Sequence, residues 1–383
     1  MPKVRSVSVA VCVVPLDRPT SFSSRIVHAR HYGLVKVESE SGQHGIGFCY
    51  VGSAGGRLFQ VAVEDLLAPL LVGEESQMTE RLWQRMYRDS LLQGRAGTVM
   101  RAISTLDIAL WDLNARAAGL PLHRYLGAAH DARVPAYASG GYYLDGKGPK
   151  QLGDEVAGFV AAGFKAVKIK VGRLGPVEEE ARVRAARDAI GPDVLLMLDA
   201  NNAWSDLPQA LEYLRRFEPH DPYWIEEPFS PDEIGLHARL AERTTVTVAT
   251  GEIAYGRWYH DELMARGGCE ILQTDAAVCG GISEWRRIAA MAAGRGITVS
   301  PHWFHDLHAP LVAATDNARF VEFFPDDAVL NFRRLVDRQL SFVDGSVELH
   351  SEPGLGFDFD EAALQRYALG SGPAWTRVGP TSC

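Results

Sequence analysis

The chain has 383 residues, 46% of them hydrophobic, with 39 basic against 48 acidic side chains and a formal net charge of −9. That length exceeds one ordinary compact domain and suits a barrel with a smaller companion, while the acidic balance argues against a nucleic-acid partner, which needs a basic face. No apolar run reaches membrane-spanning length, the N-terminal stretch alternates like a strand instead of forming a secretory core, and the five cysteines (Cys12, Cys49, Cys269, Cys279, Cys383) lack CxxC spacing, so free thiols and a cytoplasmic location are expected.

Val7, Val9, Val11 and Val13 share one face of an extended segment over 6–14, as a half-buried strand requires. A polar loop with two arginines, Arg18 to Arg25, follows. Strand-like runs near 32–39 and 45–51 then flank the turn signal ESGQHG. Three helical stretches come next; the last, near 97–117, has Ile103, Leu106 and Leu110 at helical spacing and stops at Gly119 and Pro121. Strands followed by helices describe an α+β domain that closes near residue 130. Beyond it the pattern alternates, with strands expected at 134–139, 166–171, 194–200, 223–227, 246–252, 271–275, 297–302 and 319–324 and a helix-forming stretch in each of the seven intervals. This predicts an α/β fold, a modified TIM barrel of (β/α)7β form. The expected division is an α+β capping domain over 1–130, the barrel over 131–335, and a C-terminal segment, 336–383, with hairpin-like runs that packs back on the cap.

Three short apolar runs each end on a carboxylate: Asp199 in LLMLDANNAW, Glu226 in YWIEEPF and Glu252 in VTVATGEIA. They lie one strand-plus-helix unit apart, so successive barrel strands would aim them at one face. Three anionic oxygen ligands suit a hard dication such as Mg2+. In Lys168-Ile169-Lys170, alternation puts both ammonium groups on one side of a strand. A barrel strand should be apolar throughout, so two inward lysines need anions or a working site. A neighbouring ammonium or a dication would depress a lysine pKa toward the range of a general base. The same parity groups Asp199 with Asn201 and Gln273 with Asp275, and lets only one of Glu226 and Glu227 point straight in. Glu227 has an alternative as a salt-bridged residue behind the site. Asp275 closes ILQTD and His302 closes ITVSPH; a carboxylate beside an imidazole fixes its tautomer and raises its pKa, making His302 a candidate acid or base. His305 and His308 do not match the HxxxH spacing of a helical zinc pair and read as loop or helix-start residues lining the site or its rim. Gly280-Gly281 reads as a tight turn, since neither GxGxxG nor a P-loop accompanies it.

Taken together, ISTLDIALWDL, the KIK strand, LDANNAW, WIEEP, TGE, QTD and SPHWF, in this order, resemble the enolase superfamily, and within it the mandelate racemase subgroup, over essentially the whole chain. The resemblance implies that Asp199, Glu226 and Glu252 are Mg2+ ligands, which selects Glu226 over Glu227. It also implies that Lys168 and Lys170 form the KxK pair, that Asp275 and His302 form a His-Asp dyad, and that Asn201 and Glu322 contact the substrate or its carboxylate. Muconate-lactonising relatives carry a lysine at the end of the sixth strand; this chain has Asp275 there and no lysine over 271–282, leaving His302 as the base on that side.

On that template a small carboxylate substrate binds the metal, Lys168 supports the same carboxylate, and Lys170 and His302 serve the α-proton from opposite faces. The resemblance places the pocket wall in the N-terminal loop, making Phe22 and Arg25 candidate substrate contacts, while Ser139 and Tyr137 on the first barrel strand offer hydroxyl groups. Polar walls favour a hydroxyl-rich substrate, dicarboxylic acids included, because buried polar groups reject ligands that leave them unpaired. Phe22, Trp303 and Phe304 would argue the other way, for an apolar pocket. The expected reaction is Mg-dependent dehydration of an aldonate or aldarate to a 2-keto-3-deoxy acid. Racemisation or epimerisation of a 2-hydroxy acid and cycloisomerisation of a lactone share its first step and are the alternatives. A sugar-acid-binding protein without activity is disfavoured, because every matched position holds a competent side chain. No nucleic-acid or membrane partner is expected, and a homo-oligomer is.

Overall fold

A computed structural model describes residues 3–23, 25–130, 132–326 and 328–380; Ser24 of the N-terminal loop and Cys383 lie outside the described residues. Strands β1 (Val4–Phe22), β2 (Arg25–Ser39) and β3 (His44–Tyr50) form an antiparallel meander. The segment expected to be a loop is the far end of the β1–β2 hairpin, with Thr20 opposite Val27 and Phe22 opposite Arg25. A register shift between Pro15 and Thr20 takes up exposed Asp17, Arg18 and Pro19, and this irregularity hides the strand from a reading by alternation.

Across this sheet lies the helix Gly97–Ala117, which carries the ISTLDIALWDL motif. Its approach to β3 is close enough that a Cβ at Gly45 or Gly47 would collide with the carbonyl oxygens of Ala109 and Thr105. Asp112 accepts hydrogen bonds from Ile46 N (2.8 Å), Arg116 Nε (2.8 Å) and Leu355 N (2.7 Å), tying the helix to β3 and to the C-terminal segment. Asp107 accepts from Ser283 N (2.8 Å) and Ser283 Oγ (2.7 Å), and Ser104 Oγ accepts from Gly280 N (2.9 Å). The motif is therefore the dock between cap and barrel. Gly280 and Gly281, at φ +128° and +88°, are its seat, and a Cβ on Gly281 would run into Asp107. Gly281→Ala is expected to lower stability by roughly 2–4 kcal/mol through combined backbone strain and overpacking, read as a shifted urea midpoint. An unmoved midpoint would remove this docking role.

Among the described residues, eight parallel strands make the barrel: β4 (Arg133–Gly140), β5 (Ala166–Lys170), β6 (Leu195–Asp199), β7 (Pro222–Glu226), β8 (Val248–Thr250), β9 (Ile271–Leu272), β10 (Thr298–Val299) and β11 (Val321–Phe323). Each pairs with the next from β4 to β10, β11 returns to β4, and a Val299–Ala318 bridge completes the ring. Helices over 149–161, 176–190, 207–217, 234–241, 256–265, 281–293 and 305–313 fill the seven intervals. Beyond the barrel, β12 (Ser341–Val343) and β13 (Ser346–Glu348) form a hairpin that adds to the start of β4. By contrast β14 (Trp375–Val378) joins the cap sheet beside β1, so the C-terminal segment is shared between the two units. Tyr137, Ala166, Met197, Trp224, Ala249, Ile271 and Phe320 pack as one apolar cluster inside the barrel and close its floor, which leaves the C-terminal strand ends for polar groups. Cys12, Cys49, Cys269 and Cys279 are buried free thiols. Among the described residues, no helix is long and apolar enough to cross a membrane.

Candidate active site

A cavity of about 540 Å³ opens at the C-terminal strand ends, under the β1–β2 hairpin. Lys170, Asn201, Glu227, Glu252, Asp275, His302 and Glu322 reach it from the barrel, and Phe22, Arg25 and Arg30 from the cap.

Both lysines of β5 are buried and both meet anions, as the cost of burying an ammonium demands. Lys168 Nζ stands 2.6 Å from Glu226 Oε1, 2.7 Å from Glu322 Oε1 and 3.5 Å from Asp199 Oδ2. Lys170 Nζ is 2.5 Å from Asp199 Oδ2 and faces the rings of Tyr142 and Phe22 at 5.3 and 5.8 Å. The expected depression of their pKa values is reversed in this arrangement. Burial works to lower both, but the carboxylates outweigh it: chiefly Glu226 and Glu322 at Lys168, and Asp199 at Lys170.

Asp199, Glu226 and Glu252 end neighbouring strands or follow directly after them. Among the described residues, no three His, Cys, Asp or Glu side chains converge closely enough to enclose an ion as they stand. Lys168 instead bridges Glu226 and Asp199. The donor chemistry nevertheless fits a hard dication: all three groups offer oxygen, and Glu226 Oε2 is buried with no hydrogen-bond partner. Burial first, and neighbouring carboxylates second, push Glu226 up to about 8; burial followed by Glu227 does the same to Glu252. Carboxylates crowded in this way lack positive charge. Asp199 differs, since the two lysines overcome its burial and hold it down to about 2.

Several residues at the mouth adopt left-handed backbone without being glycine: Asn201 (φ +45°), Asn202 (φ +62°), Glu227 (φ +42°), Trp303 (φ +55°) and Phe304 (φ +29°). Such conformations are costly and persist where surrounding structure enforces them. At Glu227 the turn removes the either-or of strand parity. Glu226 points inward onto Lys168, and Glu227, only 2% exposed, lines the cavity as well. Burial and the Asp199 and Glu226 charges raise Glu227 to about 7.

On the other side His302 Nδ1 is hydrogen-bonded to Asp275 Oδ2 at 3.0 Å, with Nε2 3.6 Å from Glu252 Oε2. Burial opposes its protonation, but Glu252 and the Asp275 hydrogen bond prevail and raise it to about 9. Asp275 is held in turn by Ala277 N at 2.7 Å. The reading of His305 and His308 as wall or rim residues is corrected, because both are fully buried and neither borders the cavity. His308 accepts from Ala276 N at 3.0 Å and its Nδ1 bonds Trp303 O at 2.8 Å, bracing the turns that carry Asp275 and His302. His305 packs on the Phe323 ring at 4.6 Å.

Of the other expected contacts, Asn201 lines the cavity and donates from N to Asp199 Oδ1 at 2.9 Å. Glu322 accepts from Trp303 N at 2.8 Å. Phe22 and Arg25 reach the wall from the hairpin. Tyr137 and Ser139 do not. Tyr137 lies in the barrel floor, edge-on to Trp224 at 5.3 Å and beneath Lys168, and Ser139 is buried beside Lys168 in the strand register. Their place on the first barrel strand was as expected, but not their depth; Tyr142, further along the chain, takes the wall position. Phe304 is likewise buried, packed between Phe48 and Phe332, whereas Trp303 does line the cavity. Arg30, Tyr50, Arg101 and Tyr142 border the cavity without having been anticipated.

Residues 5–127 match the family described as mandelate racemase / muconate lactonizing enzyme, N-terminal domain, and residues 151–363 match the enolase C-terminal domain-like family. An arabinonate dehydratase of Saccharolobus solfataricus is 36% identical over 315 residues, spanning 80% of this chain and 83% of that protein. A 3,6-anhydro-alpha-L-galactonate cycloisomerase of Streptomyces coelicolor is 32% identical over 337 residues, spanning 88% of this chain and 91% of that protein. The solved structure of L-talarate/galactarate dehydratase from Salmonella typhimurium, liganded with Mg and L-lyxarohydroxamate, is similar at a TM-score of 0.90 and 30% identity, covering 99% of this chain and 95% of that one.

Proposed function

Because the chain belongs to the enolase superfamily, in its mandelate racemase / muconate lactonizing enzyme family, we propose that it is a magnesium-dependent lyase that dehydrates an acid sugar. The product would be a 2-keto-3-deoxy acid. The observation that carries this reading is the hydrogen bond of His302 to Asp275 at a cavity that Lys170 also lines; Glu252 first and this bond second favour a proton on the imidazole at neutral pH. Dehydration needs such a group, since the β-hydroxyl leaves as water only when it is protonated.

Asp199, Glu226 and Glu252 would hold the magnesium ion, which supplies fixed positive charge to the substrate carboxylate and to the charge that grows there as the α-proton leaves. Lys168, locked between Glu226 and Glu322, adds a donor on the same carboxylate. Lys170 removes the α-proton. Its burial and the nearby Lys168 both act to lower its pKa, which suits a base once the Asp199 charge is engaged elsewhere. His302 then delivers its proton to the departing hydroxyl, and Asp275 holds the ring in place throughout. The enol left by loss of water takes a proton and becomes the keto acid.

The test incubates the protein with Mg2+ and a library of aldonic and aldaric acids in D2O. A 2-keto-3-deoxy product is expected. Deuterium at the α-carbon of an otherwise unchanged acid, with no keto product, would replace this reading by racemisation.

A further inference from the structure

Arg25, Arg30 and Arg101 border the cavity with charges the site chemistry leaves unused, and the most buried of the three is Arg30. It sits on β2 opposite Val14, is only 4% exposed, and still borders the cavity. Its Nε donates to Val329 O at 3.0 Å, and its guanidinium lies over the rings of Trp303 (4.7 Å) and Tyr50 (5.2 Å). These contacts fix the plane of the group. Among the described residues no carboxylate comes within ion-pair distance of it, and its two terminal nitrogens make no hydrogen bond. Arg182, buried to the same degree, donates to Gly141 O at 2.8 Å and stands 3.3 Å from Glu179. A buried guanidinium is costly unless paired, and aromatic faces compensate only in part. The missing partner has to come from the cavity.

We propose that Arg30 is the anion-binding residue at the cap end of the cavity and that the substrate is a dicarboxylic acid sugar, with its second carboxylate on this guanidinium. The inference rests on the acid-sugar reading of the site. The paired terminal nitrogens of a guanidinium match the two oxygens of a carboxylate, and a ring-stacked, immobile arginine loses little freedom on binding one. Arg25, at the hairpin end, adds a second positive charge to the same wall. Lys168 serves the reacting carboxylate and Lys170 the α-proton beside it, both at the barrel end, so the ligand would span from barrel to cap. A monocarboxylic sugar acid offers only a neutral hydroxyl at its far end, which leaves Arg30 buried without counter-charge.

The test compares an aldarate and an aldonate of the same configuration at the reacting carbons, with the wild-type protein, Arg30→Gln and Arg30→Lys. Wild type is expected to favour the aldarate in kcat/KM by about 10²-fold, and Arg30→Gln to erase that preference by raising KM for the aldarate alone, with Arg30→Lys recovering part. A wild-type preference for the aldonate, or an equal loss for both substrates in Arg30→Gln, overturns the proposal. Calorimetry with glutarate and butyrate in the presence of Mg2+ reads the same site without turnover and without a variant. Glutarate is expected to bind wild type about tenfold or more tighter, and equal binding overturns the proposal. Turnover confined to aldonates would spare the dehydratase reading and sink this one. Preferential glutarate binding without turnover of any acid sugar would do the reverse.

Discussion

Lys170→Ala is expected to remain folded in the presence of Mg2+ and to lose removal of the substrate α-proton by about 10²–10⁴-fold, the range in which a positioned base contributes. The residue is buried on β5, touches Asp199, and faces the cavity between the Tyr142 and Phe22 rings. Among the described residues no other lysine borders the cavity, since Lys168 lies deeper and is held by Glu226 and Glu322. Loss of the ammonium withdraws one of the two cations facing Asp199, so the variant should depend on the metal ion for its thermal stability more than wild type does. Asp199 keeps Asn201 N and Lys168 as partners, which is why folding should survive. His302→Asn provides the complementary result: deuterium should still enter the α-position of the substrate while the keto acid fails to form, because abstraction and hydroxyl departure are assigned to different groups. The two variants are separated by following α-proton exchange by NMR alongside keto-acid release. Undiminished exchange in Lys170→Ala would sink the assignment of the base.

Strand ends were legible because a barrel presents them periodically and because charge inside an apolar run is conspicuous. Lys168, Lys170, Asp199, Glu226 and Glu252 all stand out for that reason; Lys170, Glu252, Asp275 and His302 line one cavity, while Asp199 and Glu226 meet at Lys168 without bordering it. Arg30 carried no such signal. A charged residue on an alternating strand reads as part of a solvated face, and its burial depends on Tyr50, Trp303 and Val329, contributed by distant parts of the chain. Glu227 was obscured for another reason: parity assumes a regular strand, and its left-handed backbone ends that regularity one residue after Glu226. Tyr137 and Ser139 do stand on the first barrel strand, but a barrel interior is layered, and Tyr137 lies in a lower layer that is packing rather than wall. The hairpin beneath which the cavity lies was missed because Asp17, Arg18 and Pro19 interrupt the alternation where the chain bulges.

Chelating the divalent ion is expected to destabilise the protein far more on the alkaline side of neutrality than on the acid side. Without a metal ion, burial first and neighbouring carboxylates second, Asp199 at Glu226 and Glu227 at Glu252, place the two at about 8, well above the carboxylate value of an unfolded chain. A folded-state pKa raised in this direction contributes stability that is complete below the unfolded value and is lost as pH climbs through about 8. The metal-free protein therefore tolerates acid better than base. Binding reverses the balance, because an ion shared by Asp199, Glu226 and Glu252 requires all three ionised, and below about pH 8 the two glutamates must first release protons. Asp199, held near 2 by its lysines, contributes nothing to this dependence in the neutral range. Apparent Mg2+ affinity should then fall with decreasing pH by between one and two decades per unit, according to whether one or both protons are displaced. Calorimetry in buffers of different ionisation enthalpy measures the proton release directly, and melting with and without Mg2+ should show a larger shift at about pH 8.5 than at about pH 6. In Asp199→Asn the Mg2+-induced shift should be largely lost at both. Equal shifts in the wild-type protein, with no protons released, would mean that Glu226 and Glu252 do not share the ion.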